Sequence, residues 1–317
     1  MKKFLFLMAI CLPVSCQNAK EESLEAEITN GLIAAKLHLP DAEKGYYRGS
    51  RFDWSGVIPE LKYDGHDYFG QWFRDYNPTT HDAICGPVEE FLPLGYEEAP
   101  VNGEFVRIGI GGLRKPAEAG LQRFGYYELV NPGQWKIKRA KDHVVFTHHL
   151  KDVAGYAYEY QKTVRLIKGK PQMVLAHRLK NTGKKAIRTN VYNHNFFTLD
   201  HQPVGPGIVV KFAYPLGVTS ENPAISITGS QLEYMAESRR PVYFDDMTGH
   251  SQRVEDYDFR LENHNTGCGV RITADRPVLK IAYWSSTLTQ CPEPYMEIDI
   301  QPGESFTWDI TYDFYTF

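Results

Sequence analysis

The segment YAYEYQKTVRLI, residues 156–167, alternates aromatic side chains with polar or small ones at a period of two residues. Successive side chains of an extended chain point to opposite faces, so the three tyrosines share one face of a strand. Helices repeat their apolar residues every three or four positions, and this segment does not. The segment FTWDITYD, residues 306–313, repeats the period-two pattern. Both segments predict β-strands with one apolar face.

Similar short segments surround these two and are separated by Gly, Pro, Asn and Asp. They are His143–Leu150, Gln172–Lys180, Ile187–Leu199, Phe259–Asn263, Val270–Ala274, Val278–Ser285, Met296–Ile300 and Ser305–Tyr315. Helical patterning is scarce, and residues 116–122 form one or two helical turns at most. We therefore expect an all-β fold, a large antiparallel sandwich, in one domain over residues 25–317.

The composition places the chain among globular proteins. Of 317 residues, 42% are hydrophobic and 23% are charged, which excludes a largely disordered or collagen-like chain. The 35 Lys and Arg residues and 39 Asp and Glu residues give a net charge of -4. A negative chain has no general attraction to a nucleic-acid backbone, so we expect no nucleic-acid partner.

The first sixteen residues, MKKFLFLMAICLPVSC, have the pattern of an export signal. Two lysines precede an apolar run, Phe4–Leu12, that is too short to span a bilayer. Because the segment ends on Cys16, it resembles a bacterial lipoprotein signal, in which this cysteine is acylated and becomes the first residue. Residues 17–24 then form a short polar tether. The resemblance implies an exported protein, facing the periplasm or at the cell surface, held to the membrane through a lipid anchor only.

Neither the cysteines nor the glycines of the remaining chain form a known site motif. Cys85, Cys268 and Cys291 are widely spaced, which is not a disulfide framework or a zinc-ribbon spacing. One disulfide can form among them, and the sequence does not identify the pair. The segment GIGGLR, residues 109–114, lacks the third glycine and the following helix of a dinucleotide-binding fingerprint. We interpret it as a strand that ends in a tight turn.

Metal binding has little support in the sequence. His148 and His149 are adjacent on a predicted strand, so they face opposite sides and cannot hold one ion. His194, Asp200 and His201 offer ligand atoms in principle, but they divide between a strand and a turn. We expect neither a metal nor another cofactor.

His194 lies in the predicted strand VYNHNFFTL. Its ring shares a face with Tyr192 and Phe196, while Asn193 and Asn195 face the other way. A strand histidine among aromatic residues is usually a core residue, and that interpretation stays open. Amide side chains cost free energy when they are buried without partners, so two of them on so apolar a strand favour a lined cavity.

Glu293 lies in the segment CPEPY, residues 291–295, after the predicted strand Val278–Ser285. The prolines on either side of it restrict the backbone, so we expect a rigid loop that presents the carboxylate. A solvated loop glutamate is the simpler alternative for this residue alone.

Taken together, the two motifs resemble the aldose 1-epimerases of the galactose mutarotase-like superfamily. Asn193–Phe197, NHNFF, is similar to the family's Asn-His-x-aromatic-Phe element, and the CPEP segment is similar to the segment that carries its catalytic glutamate. The turn Asn181–Gly183 and the closing segment QPGESFTW, residues 301–308, also match in order and spacing. The resemblance covers roughly the C-terminal half of the chain.

The resemblance implies a β-supersandwich and the interconversion of α and β anomers of a free sugar. It implies Glu293 as the base that takes the proton of the anomeric hydroxyl and His194 as the acid that protonates the ring oxygen. Glutamate is ordinarily ionised near neutral pH and histidine titrates near it, which suits these roles. Candidate sugar-binding residues are Arg51, His66, His81, Glu90 and Asn193. The forked donors of an arginine suit sugar hydroxyls, although a surface or strand-pairing arginine is an equal alternative.

Two other functions fit the same scaffold, because a fold does not determine a function. One is a glycan-binding lipoprotein without catalysis. The other is a polysaccharide lyase or glycosidase, which needs a groove of oligosaccharide length. In each case the partner is a monosaccharide or a glycan-derived sugar.

Overall fold

The computed structural model describes residues 23–117 and 120–317, so the predicted signal, Cys16 and most of the tether lie outside the described residues. The first strands are β1 Glu25–Thr29, β2 Ile33–His38, β3 Val57–Tyr63, β4 His66–Phe69, β5 Gly86–Phe91, β6 Glu104–Arg107, β7 Gly111–Arg114, β8 Leu129–Asn131, β9 Gln134–Arg139, β10 His143–Val153 and β11 Tyr156–Leu166. The remaining strands are β12 Gln172–Asn181, β13 Ile187–Phe196, β14 Ile208–Phe212, β15 Ile225–Thr228, β16 Gln231–Tyr234, β17 Val242–Met247, β18 Asp258–Asn263, β19 Cys268–Ala274, β20 Lys280–Ser285, β21 Gln290–Ile300 and β22 Ser305–Thr316.

These strands form four sheets, in which the strand pairs are antiparallel. The largest has ten strands in the order β15-β16-β14-β18-β19-β22-β12-β11-β10-β9, and the second has five in the order β17-β20-β21-β13-β5. Strands β1 to β4 form a third sheet, and β6 to β8 form a fourth. The two short 3-10 helices, Leu199–His201 and Val254–Asp256, are the helical segments of the described chain. None of its helices is long and apolar enough to cross a membrane.

The core lies between the ten-stranded sheet and one face of the five-stranded sheet. Phe91 on β5 packs edge-on against Tyr160 on β11 and against Trp308 on β22, with ring centroids 5.5 Å and 6.2 Å apart. Period-two alternation produces this arrangement, since burial alternates along β10, β12 and β22. The predicted all-β antiparallel sandwich is confirmed. The opposite face of the five-stranded sheet packs against a second buried cluster, which includes Phe52, Trp54 and Phe196.

Each predicted strand is present, and the clearest change of boundary is β21, which begins at Gln290 and not at Met296. The described part of residues 116–122 contains bends and no helix, so the helical turns predicted there are wrong. The turn in GIGGLR comes before strand β7 and not after it. Gly109 in that turn and Gly111, the first residue of β7, adopt φ of 79° and 135°, which other residues rarely do.

No disulfide forms among the three cysteines of the described chain. Cys85, Cys268 and Cys291 are all buried and free. The sandwich is therefore held by packing and by polar contacts among its described residues.

Candidate active site

Strand β13 divides its side chains between the two faces of the five-stranded sheet. The ring of His194 stacks on that of Phe196 at 3.9 Å, and the Tyr192 ring lies 5.9 Å away on the same face. On the core face, Asn193 and Asn195 both contact the hydroxyl of Tyr312, at 2.7 and 2.8 Å. The predicted alternation is confirmed, and the two amides have partners.

Glu293 lies within strand β21, so the predicted loop is wrong. Pro292 and Pro294 do not end the strand, because β20 pairs with β21 along its other edge from Tyr295 to Gln290. Proline removes the N–H that would bond to β13, and the pairing of β13 with β21 stops at Tyr192 and resumes only at Phe197. The prolines therefore interrupt one ladder and leave the strand intact.

This interrupted stretch brings the two predicted catalytic residues together. The pairing of β13 with β21 has the same register before and after this stretch, and in that register His194 lies opposite Glu293. The His194 Nε2 atom lies 3.2 Å from Glu293 Oε1, and both residues are 3% exposed. Nδ1 of His194 is buried and has no hydrogen-bond partner among the described residues.

Burial changes the protonation of both groups. It raises the pKa of Glu293 to about 7, although Arg51 and Arg123 act in the opposite direction. Burial, together with the same two arginines, holds the pKa of His194 well below its usual value. Burial therefore moves the pKa of both groups away from the ordinary values on which the expected ionised glutamate and titrating histidine rest. Near neutral pH the pair holds one proton or none.

A cluster of charges lies beside the pair and centres on Glu90. Arg51 Nε donates to Glu90 Oε2 at 2.7 Å, while Arg107 Nη1 and Arg123 Nε each lie 3.6 Å from Glu90 Oε1. The Tyr192 hydroxyl also donates to Oε2. Burial opposes the ionisation of Glu90, but the three guanidinium groups lower its pKa. A single carboxylate thus organises three arginines under the site.

A cavity of about 540 Å³ opens above these groups. Its lining residues are Arg51, His81, Asp82, Arg123, Phe124, His194, Phe196, Tyr243, Asp245, Trp284 and Glu293. This size and this mixture of aromatic walls with a few charged groups are typical of small-molecule sites. Aromatic rings can stack on the C–H faces of a sugar while the charged groups bind its hydroxyls.

Five of the seven predicted site residues meet here, and two do not. Arg51, His81, His194 and Glu293 line the cavity, and Glu90 lies beneath it. The predictions that His66 and Asn193 bind sugar are corrected. His66 Nδ1 bonds to Asp200 Oδ2 at 2.9 Å, outside the cavity lining. The Asn193 amide faces the core, where its Nδ2 donates to Glu89 Oε1 at 2.9 Å.

Glu89 and Glu90 divide between the two faces of β5. Glu89 points into the core, where it pairs with Lys162 and lies 2.9 Å from His177 Nε2. The Lys162 and Glu89 side chains are fully buried. Burial alone would raise the pKa of Glu89, but Lys162 and His177 lower it to about 2. Glu89, Lys162 and His177 therefore form a buried ionic network on the core side of the strands that carry the site.

One group of potential metal ligands exists among the described residues, apart from the cavity. His66, Asp200 and Cys268 place their ligand atoms within 4.8 Å of one another. Asp200 Oδ2 already accepts bonds from His66 Nδ1 and, at 3.3 Å, from Cys268 Sγ. Burial raises the pKa of Cys268 to about 12, so its thiol keeps the proton that it donates. The set of His194, Asp200 and His201 does not assemble.

Several cavity residues were not predicted from the sequence: Asp82, Arg123, Phe124, Tyr243, Asp245 and Trp284. Arg123 and Phe124 lie between strands, in a segment without a recognisable pattern. Tyr243 and Trp284 lie on paired strands, and only Trp284 falls within a predicted strand. No pattern in the sequence indicated that any of these residues belongs to a site.

Comparison by sequence finds no relative, since no family model and no curated protein matches the chain. Solved structures do match. A putative aldose 1-epimerase from Escherichia coli K12 has a TM-score of 0.55 and 13% identity, covering 92% of this chain and 99% of that one. A galactose mutarotase-like protein from Clostridium acetobutylicum has a TM-score of 0.58 and 11% identity, covering 92% and 95%. A galactose mutarotase related enzyme from Lactobacillus acidophilus has a TM-score of 0.56 and 13% identity, covering 92% and 97%.

Proposed function

Because the chain has the galactose mutarotase-like fold, we propose that it is an aldose 1-epimerase that interconverts the anomers of a free sugar. The observation that carries the proposal is the contact of His194 with Glu293, 3.2 Å, at the floor of a cavity of about 540 Å³. The reaction needs an acid and a base beside two oxygens of one sugar, and this pair supplies both.

In the proposed reaction, Glu293 takes the proton of the anomeric hydroxyl and His194 gives a proton to the ring oxygen. The bond from C1 to the ring oxygen breaks, and the anomeric carbon becomes an aldehyde. Rotation about the C1–C2 bond turns the other face of the aldehyde toward the ring oxygen. On closure the former ring oxygen attacks the aldehyde carbon and gives its proton to His194, while Glu293 returns its proton to the aldehyde oxygen, so both groups regain their starting states.

These roles require one proton on the pair. When the resting pair holds one proton, that proton lies on Glu293, because the pKa of Glu293 is raised to about 7 and the pKa of His194 is lowered. A shift of the proton across the 3.2 Å contact produces a carboxylate and an imidazolium. Arg51 and Arg123 favour the carboxylate electrostatically, and we propose that Arg51 also binds sugar hydroxyls.

The test is the equilibration of freshly dissolved α-glucose, α-galactose and other aldoses, followed by polarimetry or NMR. Wild-type protein should accelerate it for at least one sugar. Glu293→Gln and His194→Gln should each lose about two to four orders of magnitude, the usual contribution of a positioned acid or base. Glu297→Gln is the matched control, since Glu297 lies exposed on the same strand.

The two alternative functions predict other results. A glycan-binding protein retains sugars and leaves the spontaneous rate unchanged in every variant. A lyase produces unsaturated uronates, which absorb in the ultraviolet. If wild-type protein and Glu293→Gln are equally inactive across the sugar panel, the proposed activity is wrong.

Export and lipidation at Cys16 are part of the proposal and rest on the sequence of residues 1–16. Labelled fatty acid fed to expressing cells should be incorporated into the protein and not into Cys16→Ala. Equal labelling of both would contradict the anchor.

A further inference from the structure

The exposed members of the cavity lining are aromatic or acidic. Tyr243 and Phe124 are 45% and 56% exposed, and Asp245 is also exposed. Exposed apolar surface that is grouped in one place often marks a binding site, and here two exposed aromatic rings border one opening. The reacting pair, in contrast, is almost fully buried. The cavity therefore has a closed end at His194 and Glu293 and an open end with aromatic rings.

Strand order explains how these two ends are connected. Tyr243 on β17 faces Trp284 on β20, and β20 lies beside β21, which carries Glu293. All three side chains line the same cavity. Two strand spacings separate β17 from β21, roughly 10 Å, which is more than one sugar ring spans. Strand β17 is the edge of its sheet, and there Tyr243 is 45% exposed while its hydroxyl hydrogen-bonds to Arg123.

Phe124 also lines the cavity and is exposed. Arg51 Cζ lies 4.8 Å from its ring centroid, and the His81 ring lies 5.0 Å away. These contacts hold the Phe124 ring while more than half of its surface stays exposed. Asp82 and Asp245 add carboxylates at the cavity lining that can accept hydrogen bonds from sugar hydroxyls.

The proposed chemistry sets the direction of the sugar. The anomeric carbon must lie at the buried pair, and in a pyranose the C4 hydroxyl is at the opposite end of the ring. A sugar linked through that hydroxyl therefore extends toward the open end, along the row from Trp284 to Tyr243. Aromatic faces of this kind stack on the C–H face of a sugar.

We infer that the cavity has a second sugar subsite, formed by Tyr243 and Phe124, and that the preferred substrate is the reducing end of a 4-linked oligosaccharide. This inference rests on the proposed function for the direction of the chain. The first sugar binds at Glu293 and His194, with Trp284 beside it. The second stacks at the open end, and further units extend into solvent past strand β17.

The experiment compares each monosaccharide with its 4-linked disaccharide: glucose with cellobiose and maltose, galactose with galactobiose, and xylose with xylobiose. Anomerisation is measured by NMR for wild type, Tyr243→Ala and Tyr243→Phe. At least one disaccharide should exceed its monosaccharide in kcat/KM. Tyr243→Ala should lower the disaccharide value about fivefold to tenfold more than the monosaccharide value. Tyr243→Phe keeps the ring and loses only the bond to Arg123, so it should change both values alike and keep the preference for the disaccharide. Phe317→Ala removes an exposed ring far along the chain and is the matched control.

Binding without catalysis separates this inference from the proposed function. Methyl glycosides cannot open, so calorimetry with methyl cellobioside, maltoside, galactobioside and xylobioside against the matching methyl monosaccharides measures the subsite alone. Tighter binding of a disaccharide, lost in Tyr243→Ala, supports the subsite even if no sugar is anomerised. If anomerisation occurs and no disaccharide is preferred in rate or binding, or if Tyr243→Ala affects both sugar lengths equally, the second subsite is overturned and the activity stands.

Discussion

The side-chain amide of Asn195 donates a hydrogen bond to the main-chain oxygen of Pro292, with Nδ2 and O 2.9 Å apart. This bond crosses from β13 to β21 where the ladder between them is interrupted. The same Nδ2 lies 3.4 Å from the main-chain oxygen of Asn193, which lacks a ladder donor because Pro294 has no N–H. The amide thus replaces bonds that the prolines remove, on the core side of the pair His194 and Glu293.

Asn195→Asp should weaken the site although Asn195 does not line the cavity. The new side chain is equal in shape but has no donor, so buried carbonyl oxygens lose their partner, which costs about 1–3 kcal/mol. We expect kcat to fall about tenfold or more, with a smaller change in KM, because the distance between His194 and Glu293 is no longer held. Asn190→Asp on the same strand is the control, and equal kcat in both variants would contradict the role of the Asn195 amide.

Activity should fall as the pH rises through about 7. The pKa of Glu293 is raised to about 7, so above it the pair holds no proton and lacks its acid. On the acid side the rate should persist well below the usual pKa of histidine, because the pKa of His194 is lowered. The measurement is the anomerisation rate against pH, corrected for the spontaneous reaction. A rate that climbs through pH 7 would mean that Glu293 acts only after it has lost its proton to solvent.

Glu90→Gln and Arg51→Gln should move this alkaline limit in opposite directions. The negative charge of Glu90 raises the pKa of Glu293, so its removal lowers that pKa and activity is lost at a lower pH. The positive charge of Arg51 lowers the pKa of Glu293, so its removal shifts the limit upward. Shifts of the same sign in both variants would show that the change comes from disturbed structure and not from charge.

Lys162→Met should destabilise the fold without touching the cavity. It leaves the fully buried Glu89 carboxylate without its lysine, and breaking a buried pair in this way costs about 3–5 kcal/mol. Urea unfolding, followed by tryptophan fluorescence, should show the loss, and adding Glu89→Gln should recover much of it. Lys138→Met, at an exposed lysine on β9, is the control. An unchanged midpoint for Lys162→Met would show that the pair contributes nothing to the free energy of unfolding.

Local pattern predicted the strands because alternation is a property of each segment. The period of two in residues 156–167 and 306–313 needs no other part of the chain, and the ends of β10, β11 and β12 follow within a few residues. The pattern also predicted which face of β13 His194 shares with Phe196. It was wrong at Pro292 and Pro294, since proline usually ends a strand and is tolerated here because only one edge loses its bonds.

The sequence by itself determined the all-β class, the strand segments and the face on which His194 lies, because these depend on neighbours along the chain. Only the tertiary structure decided that Glu293 lies across from His194, that Arg123 completes the charge cluster around Glu90, and that Asn193 faces the core. Those contacts join segments far apart in sequence, so strand register had to bring them together. The protonation of the pair depends on burial, which exists only once both sheets and the covering loops are in place.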